Sequence, residues 1–161
     1  MNRLVVLLVL LGLASPSCRS KRHIGEEFPF RSGFQSIRWG APVSAVDSLT
    51  AKDTAWTKIS SIDNLSTNGT IVVMKNKGRE YYLEFDDRSR FFMMNYISGK
   101  QDLDTVRNRL QRYYGEPDRS GKGNENYQDR TWHIDADSIQ LEIQLLETQK
   151  QYALKVLNKL K

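Results

Sequence analysis

The sequence is poor in the residues on which many enzymes and metal centres depend. It contains one cysteine, Cys18, and two histidines, His23 and His133. A single cysteine excludes an internal disulfide framework, and the cysteine and histidine spacing of a structural zinc site is absent. No glycine-rich loop joins a strand to a helix as phosphate cradles require. We therefore assign no catalytic residues and no cofactor, and we expect the fold to depend on apolar burial alone.

Charge of one sign and long apolar runs are also limited. Lysine and arginine outnumber aspartate and glutamate by 24 to 19, a formal net charge of +5. No basic stripe with aromatic residues set into it is present, which argues against a nucleic-acid partner. The apolar run over residues 4–14 is too short for a membrane-spanning helix, which needs about twenty apolar residues.

The stretch up to Cys18 has the features of an export signal. Arg3 precedes the apolar run, and small residues follow it, the order typical of a secretory signal peptide. Residues 14–18 (ASPSC) resemble the lipobox of bacterial lipoproteins, although Ser15 and Pro16 depart from its usual pattern. The resemblance implies a signal peptide over 1–17, acylation of Cys18, and anchoring to membrane lipid, with the outer membrane as the expected location.

An alternative cleavage after Ala14 would leave Cys18 as a free thiol in an exported protein. Residues 18–30 carry charges, glycine and proline without an apolar period, which predicts a flexible tether. The remaining residues, 31–161, are of the right number for a single domain with one core.

Alternating and helical patterns predict the elements of this domain. Weakly patterned residues 51–64 should turn Trp56, Ile59 and Ile62 inward, and residues 118–128 should form a polar loop. We predict a strand over 34–39, a helix over 42–50, three strands within 70–97, a helix over 102–114, and two or three strands between 130 and 160, where 152–160 fits a strand slightly better than a helix. This order predicts an α+β fold, an antiparallel sheet built from hairpins with two helices packed on one face. It is also compatible with a duplicated unit of one helix and three strands.

Two motifs resemble small exported bacterial domains of unknown function. The first is Phe34-x-x-Ile37-Arg38-Trp39-Gly40, and the second is the Tyr-Tyr-Gly-x-Pro pattern over 113–117, followed by Trp132 and a hairpin. Their layout is similar to that of the small lipoprotein of the outer-membrane assembly machinery. This resemblance implies a fold and a compartment and carries over no active site.

The predicted strand from Phe91 to Ile97 is apolar on both faces. One face covers the core, and the other requires either a covering helix or a binding partner. In the second case Tyr82, Phe91 and Met93 are the candidate contact residues for a partner protein.

A weaker candidate site lies near the last hairpin. If strand geometry continues, His133, Asp135 and Asp137 fall on one face, where an imidazole and two carboxylates could hold a metal ion. The alternative is that residues 135–138 form an ordinary hairpin turn, and we therefore assign no metal.

These observations favour a membrane-anchored envelope lipoprotein with a non-catalytic binding or scaffold domain. Its partners would be membrane lipid, through acylated Cys18, and an envelope protein. The alternative is a small inhibitor or ligand carrier at the cell surface or in the periplasm, which would act through the loop Gly121-Lys122-Gly123-Asn124.

Overall fold

A computed structural model describes residues 29–122, 127–136 and 139–159. The predicted signal peptide, Cys18 and the tether up to residue 28 lie outside these ranges, as do Gly123, Asn124 and Asp137. The elements are β1 Gly33–Phe34, β2 Ile37–Arg38, α1 Ala45–Lys52, β3 Trp56–Asn64, β4 Gly69–Asn76, β5 Arg79–Phe85, β6 Phe91–Gly99, a 3₁₀ turn Lys100–Asp102, α2 Leu103–Tyr114, β7 Arg119–Lys122, β8 Tyr127–Ala136, β9 Ile139–Thr148 and β10 Gln151–Asn158. Neither of these two helices has the length and apolar character needed to span a bilayer.

The main sheet has eight antiparallel strands in the order β3-β4-β5-β6-β10-β9-β8-β7, and β1 and β2 form a separate hairpin. An antiparallel sheet with two helices agrees with the predicted α+β class. Each helix is followed by four strands. The predicted unit of one helix and three strands is therefore wrong in its number of strands. The additional strands are β3, within residues 51–64, and β7, at the start of the predicted loop 118–128.

One face of the sheet, which we call the core face, carries the buried residues. Cross-strand pairing aligns a row of five side chains across five strands, and each is at most 1% exposed: Leu83, Met94, Val156, Ile143 and Trp132. Val46 and Leu49 of α1 and Leu103, Leu110 and Tyr114 of α2 belong to the same apolar cluster. Burial of large side chains contributes roughly 1.5–3 kcal/mol each, so this cluster supplies most of the stability of the fold.

The opposite face, which we call the open face, carries the alternate residues of the same strands. The residues of the open face are Ile62, Asn64, Ile71, Val73, Tyr82, Glu84, Met93, Asn95, Ile97, Lys155, Leu157, Glu142 and His133. Most of these residues are half-buried or exposed. The two faces therefore differ in burial as the alternation within β5 and β9 predicted.

The predicted strand over residues 34–39 is instead a tight hairpin. Phe34 pairs with Ile37, and Gln35 between them has φ 55°. Gly33 has φ 140°, and a Cβ at this position would lie 2.0 Å from the carbonyl oxygen of Ile37. The reversal turns both Phe34 and Ile37 into the core, which a straight strand could not do.

Strand β3 lies at the edge of the sheet and is mostly exposed. Trp56 is buried as predicted, but Ile59 and Ile62 are 50% and 52% exposed, so their predicted inward orientation is wrong. The register with β4 shifts between Lys58 and Ser60, which makes Ile59 the extra residue of a β-bulge. With only one neighbouring strand and a bulge, β3 buries little of its own length.

Helix α2 agrees with its predicted bounds. Its buried residues are Leu103, Leu110 and Tyr114, whereas the neighbouring Tyr113 is 38% exposed. Asp102 makes no side-chain cap and instead accepts hydrogen bonds from Arg79 and Tyr152, at 2.5 and 2.8 Å. Helix α2 ends at Gly115, whose φ of 70° is a value that glycine adopts without strain.

An ion cluster on the core face ties α2 to the end of β9. Glu147 is 5% exposed, and its carboxylate accepts a hydrogen bond from Arg107 of α2 at 2.8 Å and pairs with Arg130 of β8. Arg107 also reaches Asp104 at 2.8 Å. A buried carboxylate is tolerated because two guanidinium groups compensate its charge.

Two local features remain, the β4–β5 turn and the last segment, whose predicted strand is confirmed. The turn between β4 and β5 has positive φ at Lys77 and Gly78, 49° and 80°, the combination that a two-residue hairpin favours. The last segment forms strand β10 and not a helix, while Leu160, the final residue considered for it, lies outside the described ranges.

Candidate functional site: the open face of the sheet

The open face brings together two of the three residues predicted to contact a partner. Tyr82 of β5 and Met93 of β6 are both half-buried. Tyr82 pairs with Asn95, and Met93 pairs with Glu84 in the adjacent cross-strand row. The two side chains therefore belong to one continuous surface.

Phe91 does not belong to this surface, and its assignment as a contact residue is wrong. It is 0% exposed, and its ring stacks on Trp39 with centroids 4.8 Å apart. Between the pairs Phe85–Phe91 and Glu84–Met93 the register shifts by one residue. Because side chains alternate between faces, this bulge sends Phe91 to the core face although Met93, two positions later, is on the open face.

Apolar side chains extend across the open face on both sides of Met93. Ile71 of β4 pairs with Glu84, and Leu157 of β10 pairs with Met93. At the borders of the face, Ile62 and Ile97 are 52% and 43% exposed. The sequence alone did not indicate this grouping, because the residues come from four strands whose order had to be known first.

Glu84 occupies the centre of the open face and is held by two amides. It is 8% exposed, and its carboxylate accepts hydrogen bonds from Asn64 Nδ2 at 3.1 Å and from Asn95 Nδ2 at 2.9 Å. Burial raises the pKa of Glu84 above its ordinary value, and the charge of Lys155 and the two amides offset only part of this effect. Three polar side chains are thereby fixed in position among the apolar ones.

A second polar cluster surrounds His133 on β8, near the β7 edge of the sheet. Its Nε2 lies 3.6 Å from Glu142, its Nδ1 lies 3.4 Å from Asp118, and Lys159 reaches Glu142 at 3.0 Å. Burial alone would raise the pKa of Glu142, but the hydrogen bond and charge of Lys159, together with His133, bring it below its ordinary value. The ion pair with Lys159 thus fixes the charge of this carboxylate.

Of the three weaker candidates for a metal site, the structure describes His133 and Asp135. His133 has Asp118 and Glu142 as acidic neighbours, whereas Asp135 is exposed and pairs with Gln140. Asp137 lies outside the described residues. Within the residues that the structure describes, no three histidine, cysteine, aspartate or glutamate side chains are arranged to hold a metal ion.

The loop proposed for an inhibitor or carrier is partly a strand. Gly121 and Lys122 belong to β7 and pair with Asp129 and Gln128, while the other two positions, Gly123 and Asn124, are outside the described ranges.

Comparison of the chain with known protein families, curated proteins and solved structures gives no match. The geometry of the open face is therefore the basis for interpreting the site.

Proposed function

We propose that the chain is an exported bacterial envelope lipoprotein that is acylated at Cys18 and binds an envelope protein without catalysis. The open face is the contact surface in this proposal, with Tyr82 and Met93 near its centre. Protein-binding surfaces combine grouped apolar side chains with polar groups that can form hydrogen bonds. The open face combines the apolar Met93, Ile71 and Leu157 with Glu84, Asn64 and Asn95, which are held by hydrogen bonds.

One observation carries the proposal. In the described part of the chain, Ile62 and Ile97 remain about half exposed and Tyr82, Met93 and Leu157 are only half-buried, although the other face of the same strands is closed. Grouped apolar side chains rimmed by charges mark interaction sites more often than isolated ones do. A partner covering this face would remove that apolar surface from water.

We further propose that both helices pack on the core face and leave the open face uncovered. Two contacts support this: Asp47 of α1 lies 3.2 Å from Lys58, whose strand position is on the core face, and Arg107 of α2 binds Glu147 on the same face. The α1–β6 and α2–β10 segments would then be two copies of one helix-plus-four-strand unit. Their last strands, β6 and β10, pair antiparallel at the middle of the sheet, as a twofold relation between the copies requires.

The tether in this proposal joins the domain at a fixed point. Tyr114 donates a hydrogen bond to the carbonyl oxygen of Pro29, and Trp39 Nε1 donates to that of Phe30 at 2.7 Å. A lipid on Cys18 would thus hold the domain within about ten residues of the bilayer surface. Stable anchoring requires two or more acyl chains, since a single chain binds only marginally.

The anchor is tested by mass spectrometry of the chain purified from native membranes. We expect the mature chain to begin at Cys18 and to carry the mass of a diacylglyceryl group with a further acyl chain. A Cys18→Ser variant should leave the membrane fraction. A mature chain beginning at Ser15 with a free thiol would refute the anchor.

The contact surface is tested with a photo-crosslinking amino acid in living cells. Placed at Met93 or Leu157 on the open face, it should crosslink the same envelope protein. Placed at Asp104, an exposed residue of α2, it should not. Equal crosslinking from both sides of the molecule, or none from the open face, would contradict the proposal.

A further inference from the structure

A cavity of about 420 Å³ lies on the core face, separate from the open face, where the tether enters the domain. Its bottom is formed by strands β5, β6 and β10, one wall by α2, and the other by the β1–β2 hairpin and the residues before it. Its lining includes Phe34, Arg79, Tyr81, Tyr96, Val106 and Arg109. The volume is within the range of about 300–1,000 Å³ typical of small-molecule sites.

The bottom of the cavity is aromatic. The ring of Tyr81 has its centroid 5.3 Å from that of Tyr96 and 5.3 Å from that of Phe34. The hydroxyl of Tyr96 is hydrogen-bonded to that of Tyr152, which in turn donates to Asp102. The hydroxyl of Tyr96 is therefore already bonded, and the rings of Tyr81, Tyr96 and Phe34 supply an apolar part of the lining.

The charges at the rim are unequal. Arg79 is compensated by Asp102, 2.5 Å away. Arg109 lies over the ring of Tyr113 at 6.0 Å, and among the residues that the structure describes no acidic side chain lies within ion-pair distance of it. The rim therefore carries one positive charge in excess.

We propose that this cavity binds a small organic monoanion, a carboxylate with an apolar body. The apolar body would lie against Tyr81 and Phe34, and the carboxylate would pair with the guanidinium of Arg109. Guanidinium groups match carboxylates with two parallel hydrogen bonds, which fixes orientation as well as charge. The site is independent of the open face, so its test does not depend on the partner proposed above.

The test is calorimetric titration of the full chain in a non-ionic detergent, with detergent-only blanks. Naphthalene-2-carboxylate and octanoate serve as anionic probes with a flat and a flexible body, and comparing them identifies the body that fits. We expect saturable one-to-one binding of at least one of them. The matched alcohol, lacking the charge, should bind about tenfold more weakly, and the matched ammonium compound should not bind.

Two variants and one control locate the binding. Arg109→Gln should weaken carboxylate binding about tenfold and leave alcohol binding unchanged, and Val106→Trp should abolish both by filling the cavity. Arg112→Gln, one turn away on α2 and outside the cavity lining, is the control and should bind as the unaltered chain does. Absence of saturable binding by both anions, or equal effects of Arg109→Gln and Arg112→Gln, would overturn the proposal. Since Arg109 is exposed, its variant decides the question even if Val106→Trp does not fold.

Discussion

Truncating Phe91 and Met93 separately should give very different losses of stability. The two residues are two positions apart on β6, but Phe91 is 0% exposed and Met93 is half-buried on the other face. Removing a fully buried phenylalanine ring costs about 3–5 kcal/mol. The stacked Trp39 at 4.8 Å and Phe85 at 5.5 Å would face the resulting cavity, so we expect the upper part of that range for Phe91→Ala.

Met93→Ala should cost about 1 kcal/mol, because its side chain loses only part of its contact with water on folding and leaves no closed cavity. Urea unfolding followed by tryptophan fluorescence measures both changes, with Trp39, Trp56 and Trp132 all in the folded domain. For a domain of this size 1 kcal/mol shifts Tm by roughly 2–8 °C. Equal losses for the two variants, or a loss below 1 kcal/mol for Phe91→Ala, would refute the assignment of the two faces.

Three further outcomes follow from the structure. The pKa of Glu84 is higher in the folded chain than in the unfolded chain, so its contribution to stability is complete below the unfolded-state pKa and is lost as pH rises through the folded-state pKa. The pKa of Glu142 is lower in the folded chain, so its contribution is complete above the unfolded-state pKa and is lost as pH falls through the folded-state pKa. The stability of each glutamate-to-glutamine variant relative to the unaltered chain should therefore change with pH in opposite directions, as urea unfolding between about pH 3 and 8 would show. Glu147→Ala should cost about 3 kcal/mol in the same assay, because Arg130 loses its carboxylate partner and Arg107 keeps only Asp104, and a loss below 1 kcal/mol would contradict the buried cluster. Gly69→Ala should lower Tm strongly, since its Cβ would lie 1.9 Å from the Phe85 carbonyl oxygen, whereas Gly121→Ala has open space and should lower it little.

Elements with a strong local pattern could be predicted from the sequence. Helix α2 has a clear helical period and ends at Gly115, and β9 alternates apolar and polar residues from Ile139 to Leu145. Strand β3 lacks such a pattern because, at the sheet edge, most of its side chains face solvent. Its strand conformation comes from pairing with β4, which is information held by another part of the chain.

The candidate site was predictable only in part for the same reason. Tyr82 and Met93 were found from local alternation, but a one-residue bulge opposite Glu84 and Phe85 placed Phe91 in the core. The neighbours of His133 are cross-strand residues, and spacing along the chain pointed to Asp135 instead. Bulges and strand order depend on the packing of the whole sheet, which local patterns do not encode.

Binding through the open face is tested most directly by the affinity of the crosslinked envelope protein for the domain. We expect Met93→Asp to raise Kd at least tenfold, because it puts a charge among apolar contacts, and to lower Tm by more than Met93→Ala does, since the new carboxylate pairs across the strands with Glu84; Kd is therefore measured at a temperature at which circular dichroism shows the variant folded. Arg112→Gln on α2 should leave Kd unchanged. An unchanged Kd for Met93→Asp would contradict the account.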